Sequence, residues 1–538
     1  MNKIEKIIKQ RDDVVSLNSN WRNYQEEVNK YVIPRKGWVN TMKQRGERLK
    51  FGFLYDSTAI RALKIMAAGF HSNLTNPATK WFNLRTRNID LMEFTDVQIW
   101  FKKVEDIIFG ILNSSNFDTT MQEFYLSVGS AGTSAILMQK DPKDTVRFTQ
   151  VPVGQLAFNE DSTGRVNRMY RTFPLTAQQA FEKWGTDAGE AVTSTYEKKP
   201  NDKLEFIHYV GPRDKYDNTK EDDINMPFES VWIETSKKHK IKESGYKNFP
   251  YAVGRFYKEG SDPMGYSPAM DVFCDIKLVS AQKKTMLRAS MKQADPAYIL
   301  PDKGFILPLN ANPGATNYRK QGTSADDIRE LPSSGNIPIT VDVIKMVQDE
   351  IKEAFFVPLF QALSNITKQM TIPEIQRRIA ENMVLLGPTV GRFTQEVLDN
   401  VLLWVFDVAY EDGLIPDPPE AIAGSELDIV YLGPLAKAQR ESEVSSIDSF
   451  LMEVGGIANV KPEVLDLINE DKIVRSIAKI RGISPEMLND DDTVKVIRQI
   501  RLEAQQAERK MIAMQQGADI VKTGSEVDRN LAGVGSEQ

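Results

Sequence analysis

Few side chains in this 538-residue chain have the types and spacing that covalent chemistry needs. The histidines are His71, His208 and His239, and none stands at metal-ligand spacing from another His or Cys. Cys274 is the single cysteine. Spacing alone leaves open a Cys–His pair, but Cys274 falls mid-helix between Phe273 and Ile276, where a buried, inert thiol is expected. Residues 159–164, Asn-Glu-Asp-Ser-Thr-Gly, echo a calcium loop, yet position twelve would be Tyr170 rather than Glu, so a hairpin turn is expected. No G-x-x-x-x-G-K-[ST] loop occurs to cradle a nucleotide phosphate. The expected catalytic, metal and cofactor sets are therefore empty. What remains is positive charge at helical spacing. Lys277, Lys284, Arg288 and Lys292 are separated by seven, four and four residues and fall within a stripe of roughly 80° on one helix face. Lys283 lies off that stripe.

Bulk properties narrow the classes. Hydrophobic content of 41% and charged content of 26% are those of a folded chain, and its length implies several domains. One cysteine excludes a disulfide framework. The first residues, MNKIEKIIKQRDDVV, form a charged amphipathic pattern without a signal-peptide core. The formal net charge of −6 argues against tight nucleic-acid binding, because each phosphate neutralised adds salt-dependent affinity.

The positioning elements can be read from periodicity. Residues 1–35 read as one helix carrying Trp21, Tyr24, Val28, Tyr31 and Val32 on one side, stopped by Pro34 and Gly37. Asp56-Ser57-Thr58 is an N-cap cluster for a second helix. Further amphipathic helices are expected over 95–113 and 118–129. Short strands follow at 135–138, 146–148, 155–158 and 165–172, then at 204–210, 231–235 and 251–257. A helix over 266–292 would be roughly 40 Å long. Residues 295–340 are rich in Pro, Gly, Asn and Ser and read as a β/loop insertion. Helix returns over 341–356, whereas 359–369 lacks periodicity. Charged helices dominate beyond Pro434, and residues 516–538 read as a weakly ordered tail. Trp81, Phe82, Trp184, Trp232 and Trp404 read as core aromatics.

The segment from Met370 to Pro419 is the most informative. Thr371 and Glu374 form a capping box, with Pro373 in the first turn. Apolar residues recur from Ile375 through Val405, Gly387-Pro388 marks a kink, and Gly413 with Pro416 ends the helix. This stretch, with Met370-Thr371, Glu374-Ile375, Leu386-Gly387-Pro388 and Gly413 to Pro416, resembles the podovirus-type head-to-tail connector family, the phage portals. Asp56-Ser57-Thr58-Ala59, Ala67-Ala68-Gly69-Phe70, Leu74-Thr75-Asn76-Pro77 and Trp81-Phe82 are similar to the family's N-terminal signature. Gly265-Tyr266-Ser267-Pro268-Ala269, Asp275-Ile276-Lys277-Leu278 and Asp295-Pro296 are similar to its central one, with Tyr266 where relatives often carry Arg. The resemblance spans about Trp21 to Arg501.

The resemblance implies an α+β, mainly α fold: a wing (1–265), a first stem helix (266–293), an α/β clip (294–340), and a second stem helix (341–357). A channel loop and long kinked wing helix follow (358–434), then a helical crown (435–515) and a flexible tail (516–538). It implies a non-enzymatic ring of about twelve subunits at one capsid vertex of the virion, made in the host bacterial cytoplasm, with no membrane insertion. The implied partners are double-stranded DNA, bound without sequence preference, the large terminase, major capsid and scaffolding proteins, tail adaptor and tail tube proteins, and internal core or ejection proteins. The Lys277–Lys284–Arg288–Lys292 stripe then faces either solvent or the DNA channel, where each residue becomes a ring of charge. Asn365, Thr367, Lys368 and Gln369 would lie in the channel loop. Arg498, Arg501, Arg509 and Lys510, interleaved with Glu503 and Glu508, read as a salt-bridged, solvated or subunit-facing helix. A soluble enzyme and a monomeric nucleic-acid adaptor are the competing classes. The first lacks any recognisable site, and the second is disfavoured by a pI near 5.5.

Overall fold

A computed structural model describes residues 2–40, 52–88, 91–92, 94–217, 220, 222–260, 262–299, 316, 318, 329–330, 337–364, 386–422, 424, 427–432, 446–457, 461–481, 487–489 and 493–511. The chain divides into two units: Met1–Asn83, Val104–Pro416 and Ile429–Ala438 in the first, and Leu84–Lys103, Asp417–Asp428 and Gln439–Gln538 in the second.

The N-terminal pattern forms two helices rather than one, α1 (Lys3–Leu17) and α2 (Ser19–Val32), broken at Asn18. The break lets each apolar stripe meet a different surface. Ile7 and Val14 of α1 pack with Tyr170, Ile207 and Val231, and Lys3 Nζ pairs with Glu243 at 2.6 Å and Glu229 at 2.9 Å. On α2, Val28 and Val32 are fully buried. Tyr24 and Tyr31 meet Phe273 edge-on at 5.8 and 5.7 Å.

Helix α3 (Thr58–Leu74) follows the expected cap, with Asp56 Oδ2 accepting the Thr58 N–H at 2.8 Å. Then come strand β1 (Phe82–Thr86), helix α4 (Thr95–Ser114) and helix α5 (Phe117–Ala131). The packing of α3 on α5 depends on small residues: a Cβ at Gly129 would sit 2.2 Å from Met66 Cε. Phe70, Tyr125, Phe256 and Phe393 form an aromatic centre with ring centroids 5.6 to 6.0 Å apart.

Strands β2 (Thr133–Asp141), β3 (Thr145–Val151) and β9 (Tyr251–Arg255) form an antiparallel sheet in the order β3-β2-β9. Residues 133–138 are all buried, which explains the unbroken apolar run over 135–138. Strands β4 (Phe158–Glu160), β5 (Val166–Thr176), β6 (Lys203–Pro212), β7 (Phe228–Glu234) and β8 (His239–Tyr246) form an antiparallel meander in chain order. The strand expected over 155–158 begins only at Phe158, because Val153–Gln155 makes a 3₁₀ turn. Helices α6 (Ala177–Trp184) and α7 (Glu190–Lys198), and strand β8, are additions to the sequence reading. A signal for α6 was present: Thr176 accepts the Gln179 N–H at 3.2 Å while Gln179 returns a bond at 3.1 Å, a capping box.

The expected helix over 266–292 starts later. Tyr266 pairs with Tyr257 as a β-bridge, and Ser267 caps a single turn, α8 (Pro268–Asp271). Helix α9 (Phe273–Ala294) then runs to the insertion. Of that insertion, strands β10 (Tyr298–Ile299) and β11 (Arg329–Glu330) are described and pair antiparallel. Beyond residues 294–299, 316, 318 and 329–330, the expected clip up to helix α10 (Ile337–Ala354) lies outside the described residues. Phe356 has a φ of 56°, unusual for an aromatic residue, and separates α10 from α11 (Val357–Ser364). The aperiodic stretch expected from Leu359 is therefore helical as far as Ser364, with Leu359 and Phe360 buried.

Thr371, Glu374 and the start of the long helix lie outside the described residues. From 386 the chain is helical through Gly387-Pro388 and passes through a π turn, Thr394–Leu398, into α12 (Asp399–Glu411). The described irregularity is thus this π turn, downstream of the expected kink. The end is as expected. Gly413 takes a φ of 68°, and the Leu414 N–H reaches back to the Ala409 carbonyl at 2.9 Å. Within the first unit, Tyr431 of strand β12 (Leu427–Tyr431) stacks on Trp81 at 6.2 Å and bonds Asp399.

In the second unit, 446–457 is helical, Pro462–Leu467 is a 3₁₀ segment, and α13 (Glu470–Arg481) and 493–511 are helices. Arg498 makes twin 2.6 Å bonds to Asp471, so that charge is answered from α13 rather than by Glu503.

Candidate functional site

The stripe on α9 divides into two halves. Phe273, Ile276, Val279 and Ser280 form the buried face of the helix. Lys277 borders that face. It pairs with Glu27 of α2, and its ammonium sits 4.3 Å from the Phe273 ring centroid. Lys284 Nζ lies 5.6 Å from the Tyr55 ring centroid, within cation–π range. Arg288 and Lys292 are exposed and have no ion-pair partner among the described residues. The stripe is therefore half-neutralised at its N-terminal end and open at the end nearest the insertion.

Lys283, off the stripe, points the other way and pairs with Asp56. Asp56 is nearly buried, at 6% side-chain exposure. The same carboxylate accepts the Thr58 N–H and, at 2.7 Å, Gln348 Nε2 of α10. One side chain thus fixes the start of α3 against both helices that flank the insertion. Burial pushes the Asp56 carboxyl up, but bonds from Lys283 and Thr58 outweigh it and hold it below the usual carboxylate range.

A second node lies where β9 meets the π turn. The Arg255 side chain is 3% exposed. Its Nε and Nη2 donate to Glu396 Oε1 at 3.1 and 2.6 Å, and its backbone N–H donates to Glu396 Oε2 at 3.0 Å. Arg255 Nη1 also reaches Glu160, which Lys258 holds at 2.8 and 2.9 Å. The approach is tight: a Cβ on Gly254 would lie 2.5 Å from Phe124 Cζ and 2.6 Å from Val397 Cγ2. Glu160 belongs to the calcium-like stretch, and its oxygens are taken by protein cations. Asp161 Oδ1 accepts the Thr163 and Arg165 N–H groups at 2.8 and 3.0 Å. Antiparallel pairing of β4 with β5 makes this stretch the expected hairpin.

The histidines are likewise engaged. His208 is fully buried, with Nδ1 2.6 Å from the Tyr251 hydroxyl, Nε2 3.0 Å from Ser230 Oγ, and its ring stacked 3.8 Å from Trp232. His71 Nε2 lies 2.8 Å from Asp118 Oδ1 without hydrogen-bond alignment, and His239 meets the Asp187 carbonyl at 3.1 Å. Cys274 departs from expectation. It is exposed, in the first turn of α9 rather than mid-helix, because Phe273 and Ile276 take the inward positions and leave residue 274 facing out. Trp81, Phe82, Trp232 and Trp404 are buried as expected, and Trp184 is half-buried. Asn365, Thr367, Lys368 and Gln369 lie outside the described residues. Arg255 and Glu396 were missed by sequence reading, which weighed His208 only as a metal ligand. The Arg255–Glu396 pair spans 141 residues and leaves no local pattern.

His208 makes a pH prediction. Burial, then the charges of Arg171 and Lys183, hold its pKa well below the ordinary value. The unfolded chain therefore takes up a proton first as pH falls through about 6.5, and stability drops at up to about 1.4 kcal/mol per pH unit below that. Urea titrations between about pH 7.5 and 5.5 should show this slope, flattened in His208→Gln. A profile equally steep in the variant would exclude His208 as its source.

A mainly helical α+β chain, with a helix pair flanking an insertion and its polar nodes spent on packing, has the form of an assembly component. The chain matches the family described as bacteriophage head to tail connecting protein over residues 5–488 and belongs to it. It is 30% identical to the probable portal protein of Bordetella phage BPP-1 over 519 residues, covering 94% of this chain and 93% of the relative. It is 27% identical to the portal protein of Salmonella phage epsilon15 over 535 residues, covering 97% and 95% respectively. The chain is thus a structural head-to-tail connector, a portal component of a phage virion, and not an enzyme. Among the described residues no helix is long and apolar enough to cross a membrane.

Proposed function

We propose that about twelve copies of this chain close into a ring at one capsid vertex and pass double-stranded DNA inward during packaging and outward at ejection. In this reading α9 and α10 are the stem helices and the insertion between them is the clip. The clip meets the large terminase and later the tail adaptor. Residues 1–265 and the long kinked helix running to 434 are wing, residues of about 359–370 form the channel loop, and residues 435–515 form the crown, facing the capsid interior and its core proteins. Capsid and scaffolding proteins dock around the wing during assembly.

The observation that carries the channel assignment is the split stripe. Lys277 is neutralised at home, whereas Arg288 and Lys292 remain exposed without ion-pair partners among the described residues. Ring closure would multiply each into a belt of charge that meets phosphates without reading sequence. The net charge of −6 keeps the whole from gripping DNA. Single-particle imaging with mass determination tests the ring: an axial hole and about twelve subunits are expected, and a particle that stays at the 60.9 kDa chain mass even with scaffolding protein present would refute it. The double variant Lys284→Ala, Arg288→Ala should assemble normally but lose about tenfold or more in packaged or retained DNA, since each phosphate contact adds salt-dependent affinity. Normal packaging and retention would remove the stripe from the channel.

A further inference from the structure

The first unit contains a cavity of 440 Å³ that the connector role does not use. Such a volume suits a small ligand. Arg11 of α1, Arg22 of α2, and Arg35 and Lys36 of the 3₁₀ turn Pro34–Lys36 line it. Glu205 is the one carboxylate among the described lining residues.

These cations are poorly neutralised. Arg22 Nη2 donates to the carbonyls of Val39 at 3.1 Å and Gly154 at 2.7 Å, both neutral acceptors. Lys36 Nζ donates to Ser127 Oγ at 2.8 Å and Gln150 Oε1 at 3.0 Å, again neutral. Arg11 Nε lies 3.0 Å from Asp12 Oδ1, but the contact lacks hydrogen-bond alignment, and the buried N–H has no acceptor. Arg35 is exposed at the mouth. Four cations line the wall against the single lining carboxylate, Glu205, while Asp12 and Glu123 act from outside the lining, and that excess is costly without an anion. Consistently, burial and then Arg11 push the Arg22 pKa down. The Lys36 pKa is likewise lowered by burial and by Arg35, against an opposing pull from Glu123.

We propose that this cavity binds a phosphate monoester or free phosphate, held by the guanidinium groups of Arg11, Arg22 and Arg35 and the ammonium of Lys36. Guanidinium forks match phosphate oxygens in pairs, and a dianion satisfies donors that the protein leaves on neutral acceptors. Trp38, Pro152 and Pro174 supply an apolar wall beside the charged group, sufficient for an organic substituent such as a nucleoside.

Isothermal titration calorimetry on the full-length protein tests the site, with inorganic phosphate, dAMP and hexaglutamate as separate titrants. Saturable binding of phosphate or dAMP at about one per chain is expected, with a Kd below about 1 mM and a marked loss as salt rises from about 50 to 200 mM. The stronger of the two titrants identifies the source. Arg35→Gln, at an exposed position that leaves folding intact, should weaken binding at least about tenfold, and Arg11→Gln should do the same. Three results would overturn the proposal: no saturation by either phosphate titrant near 10 mM or so, unchanged affinity in both variants, or tighter binding of hexaglutamate, which would make the cavity an acidic-peptide site.

Discussion

Glu396→Ala is expected to destabilise the first unit by about 3 kcal/mol, the low end of the cost of breaking a buried ion pair. The substitution does more than delete a favourable contact. It leaves the Arg255 guanidinium, 3% exposed, with one carboxylate, Glu160, that Lys258 already shares, and two long bonds to the carbonyls of Pro263 at 3.4 Å and Gly164 at 3.3 Å. It also strips the Arg255 backbone N–H of its acceptor. Both groups keep their desolvation cost and lose their partner, which is why removing one member is worse than never building the pair. Glu396→Gln should cost about half as much, because an amide oxygen still accepts one bond. The double variant Arg255→Met, Glu396→Leu should recover most of the loss, since no unpaired charge remains. Chemical denaturation of the three variants orders them. If Glu396→Ala moved the midpoint by less than about 1 kcal/mol, the pair would be solvated rather than buried. The placement gives the number a consequence for assembly. Glu396 sits in the π turn, where the helix backbone is irregular, and the clamp holds that turn against β9. A loosened turn should lower the yield of closed rings before it unfolds the subunit, which sedimentation of the Glu396→Gln variant would register.

Sequence reading recovered what repeats locally and missed what is joined across the chain. The helices α3, α4, α5 and α10 were legible because their apolar residues recur at helical spacing and Asp56-Ser57-Thr58 marks a start. The end at Gly413 was legible because a left-handed residue after an apolar helix is a local requirement. The break at Asn18 was passed over although Asn18 stands at the N-cap position of α2 and the Asn-Ser-Asn run is of residue types favoured at a helix start. The break also lets α1 cover the meander and α2 cover Phe273. The burial of Cys274 was misjudged by one helical step, because flanking apolar residues do not say which face is inward. The split of the basic stripe was also hidden. Spacing aligns Lys277, Lys284, Arg288 and Lys292 equally, and only the approach of Glu27 and Tyr55 separates them.

Asp56→Ala is the second substitution with a large expected effect, about 2 to 3 kcal/mol, because three contributions are lost together. The bond that Asp56, one residue before the N-cap Ser57, accepts from the first-turn Thr58 N–H is worth about 1 kcal/mol, the bond from Gln348 about 1, and the ion pair with Lys283 less than a fully buried pair, since Lys283 remains 29% exposed. Asp56→Asn retains an oxygen for the Thr58 N–H but turns an amide NH2 toward Gln348 and Lys283, and should cost about 1 to 2 kcal/mol. Lys283→Met should cost a similar amount, leaving a carboxylate still bonded to Thr58 and Gln348. Equal losses in Asp56→Asn and Asp56→Ala would show that the bond to the Thr58 N–H contributes nothing. The sign with pH follows from the lowered Asp56 pKa. Its contribution is present above the unfolded carboxylate value of about 3.9 and is lost as pH falls through the lower folded value. Because Lys283 and Gln348 belong to α9 and α10, the same carboxylate sets the angle at which the proposed stem leaves α3. If Arg288 and Lys292 face the channel, their belts of charge depend on that angle. Asp56→Ala rings assembled at a temperature where the subunit stays folded should then retain packaged DNA poorly, whereas Lys283→Met rings, with the cap and the Gln348 bond intact, should retain it nearly as well as the parent.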